Sequence, residues 1–258
     1  MNPVAVITLS KLGAEQGARL VAQLDGSELF IHEGVLTERA GRRFDTVRNL
    51  TRRIFGKYKG FVYIMPCGVV IRSMAGLIKG KLVDPAVVVV DVGARYAISL
   101  LSGHEGGANE LALQVGNILS AEPVITTTTE AEKDLILGIG CRRGISEEAV
   151  LRAVRAALKK IQADVGRVRL LATVDIKKDE EGLTKAAATL GIGLRIISSG
   201  EILSTGRNFE HSAMVARNVR VPAVAEPVAL LAGRRTRLIL RKIKMQGVTV
   251  AVAQENSL

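Results

Sequence analysis

The sequence is short of aromatic residues: it has no tryptophan, three tyrosines and five phenylalanines in 258 residues. Proteins that bind single-stranded nucleic acid stack bases on such rings, and no basic run, zinc-finger spacing or helix-turn-helix pattern stands out here. We therefore expect no nucleic-acid ligand, although a net charge of +11 attracts polyanions in general. A small polycarboxylate or phosphate ligand fits the same charge.

Cysteine and histidine are also scarce and scattered. The two cysteines, Cys67 and Cys141, belong to no C-x-x-C pair, which favours reduced thiols and indicates a cytoplasmic protein. The three histidines, His32, His104 and His211, show no metal-ligand spacing, so we expect no metal site.

Long apolar runs are missing as well. The strongest run, Pro85 to Val90, has the length of a strand and falls far short of the ~20 residues of a membrane helix. No basic leader precedes the first apolar stretch, Val4 to Leu9, so we expect neither a secretory signal nor a membrane partner. Hydrophobic residues still make up 48% of the chain, and this excludes intrinsic disorder.

Short apolar runs alternate with amphipathic stretches along the chain, which predicts an α/β fold with mostly parallel, helix-covered sheets. We expect two three-layer αβα domains, residues 1–130 and 135–258, joined by the polar tract Thr126 to Asp134. The apolar periodicity also predicts one helix over Arg42 to Tyr58.

The end of the chain has a different pattern. Two strand-like runs, Arg237 to Ile243 and Val248 to Ala253, flank Gly247. The second domain is therefore predicted to finish with a β-hairpin.

A glycine-rich segment, Ser102-Gly103-His104-Glu105-Gly106-Gly107-Ala108-Asn109, joins a predicted strand to a predicted helix. Glycines allow a sharp turn and close approach of a ligand, and free amides at a helix start favour a carboxylate or phosphate. We expect this loop at the carboxyl ends of parallel strands, where open α/β sheets bind ligands. His104 adds a group that exchanges protons near neutral pH. The alternative is a plain turn whose histidine caps a backbone group.

A second segment, Gly138-Ile139-Gly140-Cys141-Arg142-Arg143-Gly144, also lies between a predicted strand and a predicted helix. It departs from the dinucleotide fingerprint because its third glycine comes one residue late. Arg142 and Arg143 suit carboxylates, since a guanidinium can hold two oxygens at once. A structural turn with two solvated arginines is the other interpretation.

Further basic residues follow other predicted strands. Arg72, Lys79 and Lys81 come after one strand, and Arg95 follows the next. Each alone is an ordinary surface residue, whereas together they would form one positive rim. No Gly-x-Ser-x-Gly elbow or Walker loop is present, which gives little support to a serine nucleophile.

Several runs in the first half resemble the N-terminal module of the CbiG family, the cobalt-precorrin-5A hydrolases of anaerobic cobalamin biosynthesis. These runs are Asp84 to Asp91, Ile98 to His104, Gly106 to Ala112 and Pro123 to Thr126. Runs in the second half resemble the C-terminal module that this family shares with the protein CobE. They are Gly138 to Gly144, Ala172 to Lys177 and Val224 to Glu226.

The resemblance implies a reaction and a substrate. The δ-lactone of cobalt-precorrin-5A would be opened, and C20 with its methyl group would leave as acetaldehyde to give cobalt-precorrin-5B. Cobalt would arrive inside this anionic tetrapyrrole, so no cofactor held by the protein is expected. A basic cleft would attract the acetate and propionate side chains of the macrocycle.

For this reaction we expect His104 to be the general base. The amides of Gly106 and Gly107 would stabilise the oxyanion, and Asn109 would help to orient the substrate. Glu105 is either a second acid–base group or a solvated residue.

The remaining contacts to the substrate are expected from the loop and from arginines. Ser102 and Gly103 would lie against the substrate at the start of the loop. Its peripheral carboxylates would be held by Arg72, Arg95, Arg142 and Arg143.

Two other functions stay open. The first is a non-catalytic carrier of corrin intermediates, which the CobE likeness of residues 135–258 favours; the second is a generic nucleotide-binding protein. Many family members carry a middle segment between the modules, whereas Thr129 to Lys133 here leads almost directly into the second domain. Such a chain would have to close its site otherwise, for example as a homodimer, and neighbouring enzymes of the pathway are the other expected partners.

Overall fold

The computed structural model describes residues 3–205 and 224–255. The chain forms two compact units, Met1–Thr127 and Thr128–Leu258. His211 lies outside the described residues. Within the described ranges no helix is both long enough and apolar enough to cross a membrane.

The first unit is built on a seven-stranded sheet with helices between the strands. Its strands are β1 (Val4–Thr8), β2 (Ser27–His32), β3 (Arg42–Phe44), β4 (Gly60–Ile64), β5 (Ala86–Val90), β6 (Tyr96–Leu101) and β7 (Glu122–Val124). Its helices are α1 (Lys11–Val21), α2 (Val47–Ile54), α3 (Cys67–Met74) and α4 (Ala108–Leu119).

The strand order is β3-β2-β1-β4-β5-β6-β7. The strands from β3 to β5 are parallel to one another, whereas β6 runs antiparallel to β5. Only residues 91–95 connect β5 to β6, and a parallel crossover needs a dozen residues or more. The last residue of β6 therefore pairs with the start of β5, as Leu101 opposite Val87. The loop after β6 thus lies at the amino edge of the parallel strands.

Helices cover both faces of this sheet, because successive side chains of a strand point to opposite faces. Val62 of β4 packs in one core with α1 and α4, whereas Phe61 and Tyr63 pack in a second core with α2 and α3. Both cores are closed to solvent. The predicted three-layer α/β architecture is confirmed.

The predicted helix over Arg42 to Tyr58 is wrong at its start. Arg42–Phe44 forms the edge strand β3, and α2 begins at Val47. The reason is local: the Thr46 side chain accepts a hydrogen bond from the Asn49 amide and caps the helix there.

The second unit has a five-stranded sheet in the order β10-β9-β8-β12-β11. Its strands are β8 (Leu135–Cys141), β9 (Val168–Val174), β10 (Gly193–Ile197), β11 (Thr236–Met245) and β12 (Val248–Glu255). Its helices are α5 (Thr128–Ala131), α6 (Glu147–Lys160), α7 (Glu181–Leu190), α8 (Ser199–Ser204) and α9 (Ala225–Leu231).

Strands β8, β9 and β10 are parallel, whereas β12 is antiparallel to both β8 and β11. The predicted terminal hairpin is confirmed by the pairing of β11 with β12. Helices α6 and α7 pack in one core with β8, and α9 packs against β8 and β12. The predicted linker contains α5, and the boundary between the units falls inside it.

Candidate functional site

The loop from Ser102 to Gly107 closes on itself before α4 begins. The Ser102 carbonyl accepts hydrogen bonds from the amides of Gly106 and Ala108, each 3.1 Å long, and the Gly103 carbonyl accepts one from the Asn109 amide at 2.9 Å. Ser102 has a φ of 58°, and its buried hydroxyl has no hydrogen-bond partner among the described residues. Strained backbone and unpaired buried groups of this kind collect at functional sites.

Two glycines make this tight loop possible. A Cβ on Gly106 would lie 2.3 Å from the Ser102 Cβ, so no side chain fits there. Gly107 has a φ of 83° at the N-terminus of α4, a conformation that favours glycine. The compact turn leaves His104 and Glu105 exposed at its tip.

The carboxylate of Glu105 is already paired. Lys81 donates to it at 2.8 Å, and this hydrogen bond holds the pKa of Glu105 below its ordinary value. Glu105 is therefore ionised at neutral pH and unsuited to donate a proton there. Among the described residues no hydrogen bond occupies the His104 imidazole, which leaves it accessible to a ligand.

The expectation for the Gly106 amide is wrong. This amide donates to the Ser102 carbonyl, so it is not free to stabilise an oxyanion. Of these two glycine amides, only that of Gly107 is left available by the backbone hydrogen bonds of the loop.

Asn109 connects three parts of the first unit. Its Oδ1 accepts from the Ser99 hydroxyl at 2.8 Å, and its Nδ2 donates to the Thr127 hydroxyl at 3.0 Å. A Cβ on Gly103 would lie 2.9 Å from that Oδ1 and 2.8 Å from the Thr127 Cγ2. These contacts join the loop to β6, to α4 and to Thr127 in the segment after β7, so the side chain of Asn109 positions the loop.

A cavity of about 870 Å³ adjoins this loop at the amino edge of the sheet. Val4, Gly60 and Ala86, the paired first residues of β1, β4 and β5, lie in its wall together with Glu105, Gly106 and Gly107. The expectation that the loop stands at the carboxyl ends of parallel strands is wrong, because β6 is antiparallel to β5.

Two of the four arginines lie at the opposite edge of the first sheet. Arg95 precedes β6 and Ser102 follows it, so they lie roughly 23 Å apart at about 3.3 Å per residue. The Nε of Arg95 donates to Asp91 at 2.9 Å. Arg72 folds back over Gly68, in the first turn of α3 after β4. The expectation of one positive rim that joins Lys81 to Arg95 is therefore wrong, because Lys81 pairs with Glu105 in the loop after β6 whereas Arg95 precedes β6.

Arg142 and Arg143 belong to the second unit, on the exposed turn after β8. This turn is held by Glu180, whose Oε2 accepts from the Gly144 amide at 2.9 Å. Burial raises the pKa of the neighbouring Cys141 thiol to about 11. The turn can present two guanidinium groups to carboxylates, and its thiol is not activated.

Sequence reasoning missed the lysines of the cavity. Lys57 and Lys59 line it, on either side of the buried Tyr58. The short 91–95 connection was the available signal, because it shows that β6 is antiparallel and directs attention to the amino ends of the strands. Over the described ranges, no three His, Cys, Asp or Glu side chains are grouped so that they could hold a metal ion.

Comparison with known proteins gives the class of this chain. The family model of the cobalamin synthesis G N-terminal region matches residues 49–130, and that of the cobalamin synthesis G C-terminus matches residues 135–253. The two matches define a two-module protein of cobalamin synthesis. The chain belongs to the CbiG family.

Three relatives sharpen this result. A cobalt-precorrin-5A hydrolase of Priestia megaterium is 26% identical over 352 residues, which covers 96% of this chain and 94% of that protein. The cobalt-precorrin-5A hydrolase of Salmonella typhimurium is 37% identical over 134 residues, 50% of this chain and 37% of that protein. Protein CobE of a Sinorhizobium species is 30% identical over 128 residues, 49% of this chain and 83% of that protein. The chain is thus an enzyme, a hydrolase of cobalamin biosynthesis.

The alignment with the Priestia megaterium protein also shows a difference. Its 352 aligned positions exceed the 258 residues of this chain, so that relative contains sequence without a counterpart here. The two family matches in this chain are separated only by residues 131–134.

Proposed function

We propose that this chain hydrolyses the δ-lactone of cobalt-precorrin-5A and releases C20 with its methyl group as acetaldehyde, giving cobalt-precorrin-5B. The observation that carries this proposal is the alignment of 96% of the chain with a relative of that name. The basic composition supports it, because a net charge of +11 suits a substrate bordered by carboxylates.

The reaction needs a water molecule, a general base that takes its proton, and a hydrogen-bond donor to the oxyanion that forms. The oxygen of water adds to the lactone carbonyl carbon, and the acyl–oxygen bond breaks, which leaves a carboxylate and an alkoxide on C20. The alkoxide then forms the C=O bond of acetaldehyde while the bond from C20 to the ring breaks. The electron pair of that bond passes into the conjugated macrocycle, so the sequence needs no external oxidant or reductant.

His104 is the proposed base that takes the proton from water. Its imidazole stands exposed at the tip of a loop whose backbone is fixed by Ser102 and Asn109. A general base contributes about 10²–10⁴ to a rate. The free amide of Gly107, at the N-terminus of α4, is the proposed donor to the oxyanion.

On the second unit, Arg142 and Arg143 are proposed to bind carboxylate side chains of a tetrapyrrole. Both are exposed on the turn after β8. Guanidinium groups bind carboxylates through paired hydrogen bonds. Arg72 and Arg95 are not included in this proposal, because they lie at the edge of the first sheet opposite the loop of His104.

The decisive experiment is to incubate the purified protein with cobalt-precorrin-5A. Acetaldehyde is assayed, and the corrinoid product is identified by its mass in a mass spectrometer. We expect one acetaldehyde for each substrate consumed. Substrate that stays intact after long incubation with an excess of the protein would contradict the proposed reaction.

A carrier of corrin intermediates is the second candidate. The 30% identity with Protein CobE over about half of this chain favours it for the second unit. A carrier predicts binding of cobalt-precorrin-5A by the parent protein with no acetaldehyde at all. The same incubation, followed by gel filtration to detect bound corrinoid, distinguishes a carrier from an enzyme.

A further inference from the structure

The lysines at the amino edge of the first sheet are held on a rigid support. Between Lys57 and Lys59, Tyr58 is buried, and its hydroxyl donates to Glu28 at 2.9 Å. The Lys59 amide donates to the Pro3 carbonyl, and the Lys59 carbonyl accepts from Ala86. Both lysine side chains are exposed. The backbone that carries these two charges is therefore fixed to β1 and β5.

An apolar tip stands beside the same cavity. Leu82 is 79% exposed and Val83 is 71% exposed, and both line the cavity. The tip is ordered by the buried Asp84, whose carboxylate accepts from the amides of Lys79 and Gly80 at 2.9–3.0 Å. Two adjacent aliphatic side chains are thus exposed on an ordered turn, where they can contact an apolar part of a ligand.

The charges of the cavity are divided between its walls. Of the charged residues that line the cavity, Lys57 and Lys59 follow α2, which covers one face of the sheet. Asp25 and Glu110 come from the end of α1 and the start of α4, which cover the other face. Glu105 is neutralised by Lys81. One wall is therefore basic next to an apolar tip.

We infer that this cavity binds the carboxylate-fringed, apolar-faced macrocycle, with Leu82 and Val83 against a face and Lys57 and Lys59 on peripheral carboxylates. The inference rests on the proposed function for the identity of the substrate. The volume of about 870 Å³ lies within the usual ~300–1,000 Å³ of small-molecule sites. Glu105, Gly106 and Gly107 line the cavity, and they follow the proposed base, His104, in the same loop.

Binding of uroporphyrin III, a tetrapyrrole with eight carboxylates, tests this location without the reaction. The site variants are the double change K57E/K59E and, separately, Leu82→Ser. Matched controls are K159E/K160E, which reverses two exposed lysines at the end of α6, and Leu36→Ser, which changes another exposed leucine. Circular dichroism verifies that each variant is folded.

We expect the parent and both controls to quench uroporphyrin fluorescence with equal affinity, and the site variants to bind at least tenfold more weakly. With cobalt-precorrin-5A, KM should rise at least tenfold in K57E/K59E while kcat changes less than threefold. Site variants that bind like the parent, or a parent that does not bind uroporphyrin, would overturn the location. Weakened binding in the site variants without acetaldehyde from the parent would support the location and contradict the proposed reaction.

Discussion

The two glycine-rich segments look alike in sequence, yet their glycines serve different purposes. In Ser102–Gly107 the glycines form the turn itself, which exposes His104 beside a cavity. In Gly138–Gly144 the first glycine lies inside β8, where a Cβ would come 1.9 Å from the Ala225 carbonyl oxygen of α9. A glycine in such a segment can therefore allow a tight turn or the close packing of a helix. The atoms around the glycine, and not the sequence pattern, determine which role it has.

The largest expected effect is on packing in the second unit. Gly138→Ala should lower the free energy of unfolding by about 3 kcal/mol, because the new methyl group meets the backbone of α9. Gly140→Ala is the matched control on the same strand, since its Cβ would lie 3.4 Å from the Val224 Cβ. Urea unfolding measures both. Equal loss in the two variants would remove the proposed difference between these positions.

Reactivity of Cys141 tests whether the second segment carries chemistry. Burial raises the pKa of this thiol to about 11, which keeps the reactive thiolate scarce at pH 8. A Cys67→Ser variant leaves Cys141 as the sole thiol. Its alkylation by iodoacetamide at pH 8 should be roughly 100-fold slower than in urea. Equal rates would show that burial does not raise the pKa of this thiol, and a faster rate in the folded protein would show an activated thiol and weaken the contrast between the segments.

A smaller loss of stability is expected in the first segment. Gly106→Ala places a methyl group 2.3 Å from the Ser102 Cβ and should cost about 2 kcal/mol. Gly107→Ala meets no atom within 4 Å and adds only the strain of a positive φ, about 1 kcal/mol. Thermal unfolding separates the two. A greater cost at Gly107 would contradict the geometry of the turn.

The smallest effect concerns the ion pair that joins the two loops. Lys81 lowers the pKa of Glu105, so the stabilisation is present above the ordinary pKa of a glutamate and is lost as the pH falls through the lowered value. Lys81→Ala should raise the Glu105 midpoint in an NMR titration, whereas Lys79→Ala should leave it in place. An unchanged midpoint in Lys81→Ala would mean that the pair does not persist in solution.

Most of the fold was predictable because its signals are local. Alternating apolar runs predict the layers, and the helix that is predicted to follow the first glycine-rich segment is α4. The two apolar runs around Gly247 predict the final hairpin. The start of α2 was missed because helical spacing of apolar residues continued past Thr46, whose capping hydrogen bond depends on backbone geometry.

The site was less predictable because strand direction decides which loops meet. His104 is exposed at the tip of its loop, but Arg95 lies at the other edge of the sheet because β6 is antiparallel to β5. Periodicity does not distinguish parallel from antiparallel strands; connection length does. The hydrogen bond that occupies the Gly106 amide is set by the conformation of Ser102 and has no signature in the residue types.

The most direct test of the account is acetaldehyde release from cobalt-precorrin-5A by His104→Asn, compared with His32→Asn. His32 lies at the end of β2, where its Nδ1 accepts from the Gly34 amide at 3.1 Å, and asparagine retains an acceptor there. We expect His104→Asn to lower kcat at least 100-fold without a change in stability, and His32→Asn to stay within about threefold of the parent. A loss of less than tenfold in His104→Asn would contradict the assignment of this loop as the catalytic one.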